Sequence, residues 1–324
     1  MIMKRIVNIL LIFLVALTGY SQTEKQLVPS DLKQLTVVTE PSTLYKGFFR
    51  AGTALSYSVV DKYFTNEKNK EYFLQSAWAT NSGFNFIFQY GITDRLQVDA
   101  AFPLAINIRQ SESRIFVPSA DTTVNYSFTL QSKGLGDCYF TLKYQILNEK
   151  SNNTSLTGSL EVTVPTGEKN PTDVKGETDY NPPLGNGCFA TNLGLKYRKI
   201  QFPYSYAGYL YYTYQFPGSK IMDPSDTQET EFKDGNHLDA GLSFSIHLNE
   251  WIALTNDANL YFRSKDEIDG KIPDDAIAPW ALSYEPRLVF QVKRFRISEA
   301  VRIPIYGKGI GADPIYVLIA QYVF

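Results

Sequence analysis

Twelve stretches of the chain alternate apolar with polar residues, and the connections between them alternate short with long. Period-two alternation dictates strands that present two faces to two environments. The sorting of the connections dictates how such strands are joined. The stretches cover residues 47–60, 76–90, 96–110, 133–147, 154–166, 188–199, 204–216, 236–248, 251–264, 280–293, 295–307 and 314–324. Short turns fall at 91–95, 148–153, 200–203, 249–250 and 294. Long polar loops fall at 61–75, 111–132, 167–187, 217–235 and 265–279, and the last connection on that side, 308–313, is shorter. A membrane barrel has this asymmetry, with short periplasmic turns and longer outer loops. A soluble meander has no reason for it.

The alternation is explicit in several runs. In 154–166, Leu156, Leu160, Val162 and Val164 oppose Thr157, Ser159, Glu161 and Thr163. In 236–248, Leu238, Leu242, Phe244 and Ile246 oppose Asp239, Ser243 and Ser245. In the last run Tyr316, Leu318, Ala320, Tyr322 and Phe324 share one face. Its length matches the ~9–11 residues with which a tilted strand crosses a bilayer. A soluble sandwich would alternate in the same way. Strand length, loop sorting, an export signal and the terminal aromatics favour the membrane. Lipid supplies no hydrogen bonds, so the sheet must close on itself. The expected fold is all-β: a closed antiparallel transmembrane barrel of about 12 strands, with both termini periplasmic. Its apolar face looks outward. Its polar face places Arg50, Asp99, Lys143, Glu161, Lys196, Asp239, His247, Asp257, Glu285, Arg287 and Arg302 toward the lumen. Two places fit poorly. Glu299 shares the face of Ile297, Val301, Ile303 and Ile305, which asks for an interface position or a bulge. Ile315, Val317, Ile319 and Val323 make the inner face of the last strand apolar too, a pointer to an apolar solute or to the N-terminal segment packed there.

Composition agrees with this address. With 22 Tyr and 21 Phe the chain is rich in the residues that form girdles at membrane interfaces. Its net charge of −2 and lack of a basic cluster exclude a nucleic-acid partner. Residues 1–21 read as a secretory signal: Lys4 and Arg5 open it, an apolar run follows, and Gly19 and Ser21 place small residues before Gln22. Residues 22–46 are polar and form either a loose periplasmic tail, which composition favours, or a segment entering the barrel mouth. The barrel then occupies 47–324, in the outer membrane of a Gram-negative bacterium. Cys138 and Cys188 fall on different strands with another between them, so two lone packed thiols are expected rather than a disulfide.

Catalysis finds little support. The two histidines, His237 and His247, lie on the polar face of one run. A lipid-hydrolysing barrel needs its Ser/His pair facing lipid. The acidic stretches 223–234 and 266–275 have no loop spacing that specifies a cation. No enzyme activity, metal or cofactor is therefore expected.

Gly134-Leu135-Gly136-Asp137 with Lys143-Tyr144, Val164-Pro165-Thr166-Gly167, Gly185-Asn186-Gly187 and Asn192 to Tyr197 resemble segments of the "MetA-pathway of phenol degradation" family of outer-membrane barrels. The resemblance covers most of the mature chain. It implies channels related to the long-chain fatty acid transporters, passing small hydrophobic or aromatic compounds. The free C-terminal Phe324, with Tyr322, resembles the signal read by the barrel-assembly machinery. Together these lead to the expectation of a passive channel whose partners are membrane lipid, that machinery and a small hydrophobic solute. The alternative is a structural or partner-binding barrel with a closed lumen, its loops contributing Tyr63, Phe64, Tyr72 and Phe73.

Overall fold

The computed structural model describes residues 42–60, 62–66, 69–72, 77–117, 122–148, 153–173, 180–222, 226 and 228–324. Residues 1–41, the expected export signal among them, lie outside the described residues. Twelve strands close into a barrel: β1 (Phe49–Val60), β2 (Ala77–Gly91), β3 (Leu96–Val117), β4 (Cys138–Leu147), β5 (Thr154–Val164), β6 (Ala190–Gln201), β7 (Tyr204–Gln215), β8 (His237–His247), β9 (Ile252–Arg263), β10 (Trp280–Val292), β11 (Phe295–Lys308) and β12 (Ile315–Val323). Every neighbouring pair is antiparallel. The last strand returns to the first, with Leu318 opposite Leu55 and Tyr316 opposite Tyr57. Closure leaves the backbone of the belt paired inside the sheet, which is what a hydrocarbon environment demands.

Residues 111–132 differ from the expected polar loop. β3 runs on to Val117, and a strand over Thr122–Leu135 returns beside it, Leu104 opposite Leu135 and Val117 opposite Thr122. β4 itself begins only at Cys138 and meets β3 over Leu96–Ala101. The other outer connections carry short strands as well. Lys62–Asn66 pairs with Asn69–Tyr72, and Gly218–Lys220, Thr230–Lys233 and Glu267–Ile268 form a three-stranded sheet that joins two loops.

The outward face is apolar and open. Leu193 is 61% exposed, and Leu55, Leu142, Leu160, Leu195 and Leu210 are exposed around the middle of the wall. Soluble proteins rarely leave so continuous an apolar surface in water. Exposed rings bound the band at both ends. Phe49, Tyr90, Tyr144, Phe202, Phe290, Phe295 and Phe324 stand at the turn end, and Tyr57, Tyr214, Phe216, Phe262 and Tyr316 at the loop end. These are the two interfacial girdles of a membrane barrel. Glu299 is the exception on this face: it is exposed, with Leu288 and Leu318 as its cross-strand neighbours. The register shift between β10 and β11 lies at Leu282/Ser283, toward the outer loops, and leaves Glu299 pointing outward.

Both ends of the barrel carry chain inside them. At the turn end Thr43 and Leu44 are buried, the Leu44 amide donates to Gln97 Oε1 at 2.6 Å, and the Ser42 and Ser155 hydroxyls meet at 2.5 Å. Gln97 and Ser155 are inward positions of β3 and β5, so the described end of the 22–46 segment sits in the mouth. At the loop end Phe64 is fully buried, and its backbone bonds with Ile310 and Gly309 sew the first outer hairpin to the β11–β12 connection. That burial removes Phe64 from the loop residues expected to meet a partner. Phe73 lies outside the described residues. Cys138 and Cys188 are both free and buried.

Candidate functional site: the barrel interior

Tyr209 on β7 donates to Asn259 Oδ1 on β9 at 2.6 Å, crossing β8 on the way. Side chains two strands apart converge only on the concave side of a barrel, so this bond marks the inner face. The crossing is possible because Gly241 of β8 has no Cβ; one placed there would overlap the Tyr209 ring. Gly194 of β6 makes room for Tyr211 in the same way, and the two tyrosine rings lie 5.1 Å apart. Neither tyrosine is among the inward charges that the sequence points to, and their one signal is parity: Tyr209 and Tyr211 alternate with the outward Leu210 and Tyr212.

Strand parity puts Arg50, Asp99, Lys143, Glu161, Lys196, Asp239, His247, Asp257, Glu285, Arg287 and Arg302 on this concave face, and the structure gathers most of them into two networks. Across β1 to β4, Lys143 Nζ lies 2.6 Å from Asp99 Oδ2, while Gln89 and Gln97 donate to the same carboxylate at 3.0 and 2.5 Å. Arg50 Nη1 donates to Gln89 Oε1 at 3.3 Å. Across β9 to β11, Arg302 Nε donates to Glu285 Oε2 at 2.7 Å, Arg287 bonds the other oxygen of Glu285, and Arg287 also lies 3.5 Å from Asp257. Glu285 is almost wholly buried, which it tolerates because two guanidinium groups hold it. The remaining members stand apart. Glu161 accepts from Thr141 at 2.8 Å, Asp239 faces His237 at 3.9 Å, and His247 meets Ser205 at 3.1 Å. Lys196 is exposed on the inner wall, cross-strand from Thr157 and Tyr209. Tyr322 and Phe324 lie elsewhere, exposed on the outer face at the turn end, where the Phe324 ring packs at a tilt against Phe49 at the closing seam.

The glycine motifs come together at the outer rim. Parity predicts Asp137 on the inner face with Thr141 and Lys143. Instead the strand breaks at Gly136 and Asp137, and the carboxylate accepts the backbone amides of Gly167 at 3.0 Å and Asn186 at 2.8 Å. Thr166 Oγ1 closes the clasp, donating to Gly136 O and accepting from Cys138 N. A Cβ at Gly185 would overlap Asp137, so this approach requires glycine. Further out, hydrogen bonds from Lys169, Ser219 and Asn170 hold the Glu229 carboxyl below its ordinary range, at about 2. Burial pushes the Cys188 thiol above its ordinary range, leaving it a packed, unreactive group.

A closed antiparallel barrel with a girdled apolar exterior and an ion-paired interior defines an outer-membrane β-barrel of the Gram-negative kind. The model of the family described as "Putative MetA-pathway of phenol degradation" matches residues 108–285, more than half of the sequence, and the chain belongs to that family. Among solved structures, the COG4313 outer membrane channel from Pseudomonas putida F1 superposes with a TM-score of 0.66 at 16% identity, covering 88% of this chain and 99% of that one. The Ralstonia pickettii toluene transporter TbuX reaches 0.43 at 9% identity, over 94% of this chain and 96% of its own. At these identities the likeness concerns the fold, and the lower score carries no argument.

Proposed function

We propose that the barrel is a passive outer-membrane channel for small molecules, apolar and aromatic ones among them. The observation that carries this reading is an interior whose charged side chains are not all packed away. The Arg302 side chain is 48% exposed, and Lys196, on β6, is exposed as well, in a wall of mixed charge. The P. putida structure of the same fold, an outer membrane channel, agrees with it. The aliphatic strip of Ile315, Val317 and Ile319, backed by Ser56, Ala54, Ala300 and Ser298 on the flanking strands, gives an apolar solute a surface to follow. Residues 1–21 serve as the export signal in this reading, and Tyr322 with Phe324 as the C-terminal signal to the assembly machinery. Proteoliposomes carrying the barrel should swell in isotonic small solutes at a rate that falls with solute size. Swelling no faster than protein-free liposomes would sink the channel.

One pair of observations favours a second reading, a closed barrel. Thr43 and Leu44 sit in the turn-end mouth and Phe64 in the loop-end mouth. In that case the loops, not the lumen, carry the function, and no solute passes.

A further inference from the structure

Lys196 differs from the other charges of the inner wall. Asp99, Asp257 and Glu285 are each held by a cation, and Glu161 by Thr141. Among the described residues, no hydrogen bond or ion pair holds the Lys196 ammonium. Its strongest electrostatic neighbours are other cations, Arg198, Lys143 and Arg287, followed by the acid Asp257, while a further acid, Asp239, stands opposite Tyr211. An ammonium among like charges draws an anion from the surrounding water, because a low-dielectric wall focuses the field into the cleft. Pores that pass anions place Lys or Arg at such points.

The surface next to this ammonium is aromatic. Tyr209 is the cross-strand neighbour of Lys196, and Tyr211 that of Gly194, one position along the same face. Each ring reaches into the space that a glycine leaves on the inner wall, Tyr209 at Gly241 and Tyr211 at Gly194, and both side chains stay partly exposed. A free ammonium beside two aromatic side chains matches a ligand with a flat apolar body and one negative group.

We propose that Lys196, Tyr209 and Tyr211 form a binding step for small aromatic carboxylates within the lumen. The proposal rests on the channel reading and narrows its substrate class from apolar or aromatic molecules to aromatic anions. The carboxylate meets Lys196, with Arg198 and Arg287 adding to the field, while the ring stacks on the tyrosines. Neutral aromatics gain the stacking alone.

The test uses the purified full barrel in planar bilayers under a KCl gradient. Folding of each variant is checked by its heat-modifiable mobility in detergent gels. Wild type should prefer anions. Lys196→Gln should lower the anion-to-cation permeability ratio about fivefold, the worth of one unit charge met in water at contact distance, and Lys196→Arg should keep it. Benzoate should reduce the wild-type chloride current, and benzyl alcohol at the same concentration should not. Acetate, which lacks the ring, should act more weakly than benzoate. An unchanged permeability ratio in Lys196→Gln, or equal block by benzoate and benzyl alcohol, overturns the anion step while leaving the channel standing. Wild-type bilayers without conductance overturn both.

Discussion

Glu299 is the residue at which sequence and membrane disagree most plainly. Its exposed carboxylate stands on the outer face with Leu288 on one side and Leu318 on the other, and it has no partner among the described residues. A charge on the lipid face costs most near the middle of the belt. Glu299→Leu should therefore stabilise the barrel by about 1–2 kcal/mol, less than the figure for a lysine at the midplane. The check is the denaturant midpoint of the folded band on a detergent gel; a fall in that midpoint would contradict a lipid-facing Glu299. Glu229 offers a pH test outside the membrane. Its carboxyl is lowered from 4.5 to about 2, chiefly by the hydrogen bond from Lys169. A depressed carboxylate contributes fully above its unfolded value, so this loop contact holds above pH 4.5 and is lost as the pH falls toward 2. A Glu229 titration midpoint near 4.5 by NMR would exclude the contact. At this scale parity was legible and partners were not. Alternation assigns Glu285 and Arg302 to one face, but their bond depends on the register between β10 and β11, which runs unbroken from Val292/Phe295 at the turn past this pair and shifts only beyond it, at Leu282/Ser283. Asp137 shows the limit of parity itself. It counts as inward only if the strand continues through Gly136, and the strand stops there.

Among the elements, the membrane-crossing strands were legible and the parts beyond the membrane were not. The belt imposes an apolar face, so Leu156 to Val164 or Leu238 to Ile246 announce themselves. Outside it a hairpin needs only its ladder hydrogen bonds, and Leu104–Val117 with Thr122–Leu135 forms one whose outer part reads as polar loop. The motif Gly134 to Asp137 is explained at this scale: it ends the hairpin and supplies the carboxylate that ties it to the two amides of the next loop. Asp137→Ala should leave the barrel folded and loosen that tie. Limited proteolysis should then cut within 167–187 several times faster than in wild type, and equal rates would show that the clasp is dispensable. The N-terminal segment is an element too. Composition favoured a free tail, yet Leu44 is buried against Gln97, a contact between residues far apart in sequence that no local pattern reports. A chain truncated so that the mature protein begins at Tyr45 should conduct more than wild type. An unchanged unitary conductance would place residues 42–44 outside the path.

At the scale of the molecule, the sorting of short and long connections fixed the architecture, because only a sheet closed around the bilayer has two such different rims. What the sequence left open was the interior. Both a wet channel and a lumen closed by ion pairs require polar residues at the same positions. The structure holds elements of each: paired acids and occupied mouths on one side, exposed Arg302 and Lys196 on the other. Single-channel recording of the purified, full-length barrel in a planar bilayer separates them most directly. A water-filled path predicts discrete current steps in KCl whose size changes when Glu285 is replaced by Gln, since that carboxylate balances Arg287 and Arg302 on the inner wall. A folded, heat-modifiable barrel that gives no steps at any voltage would contradict it.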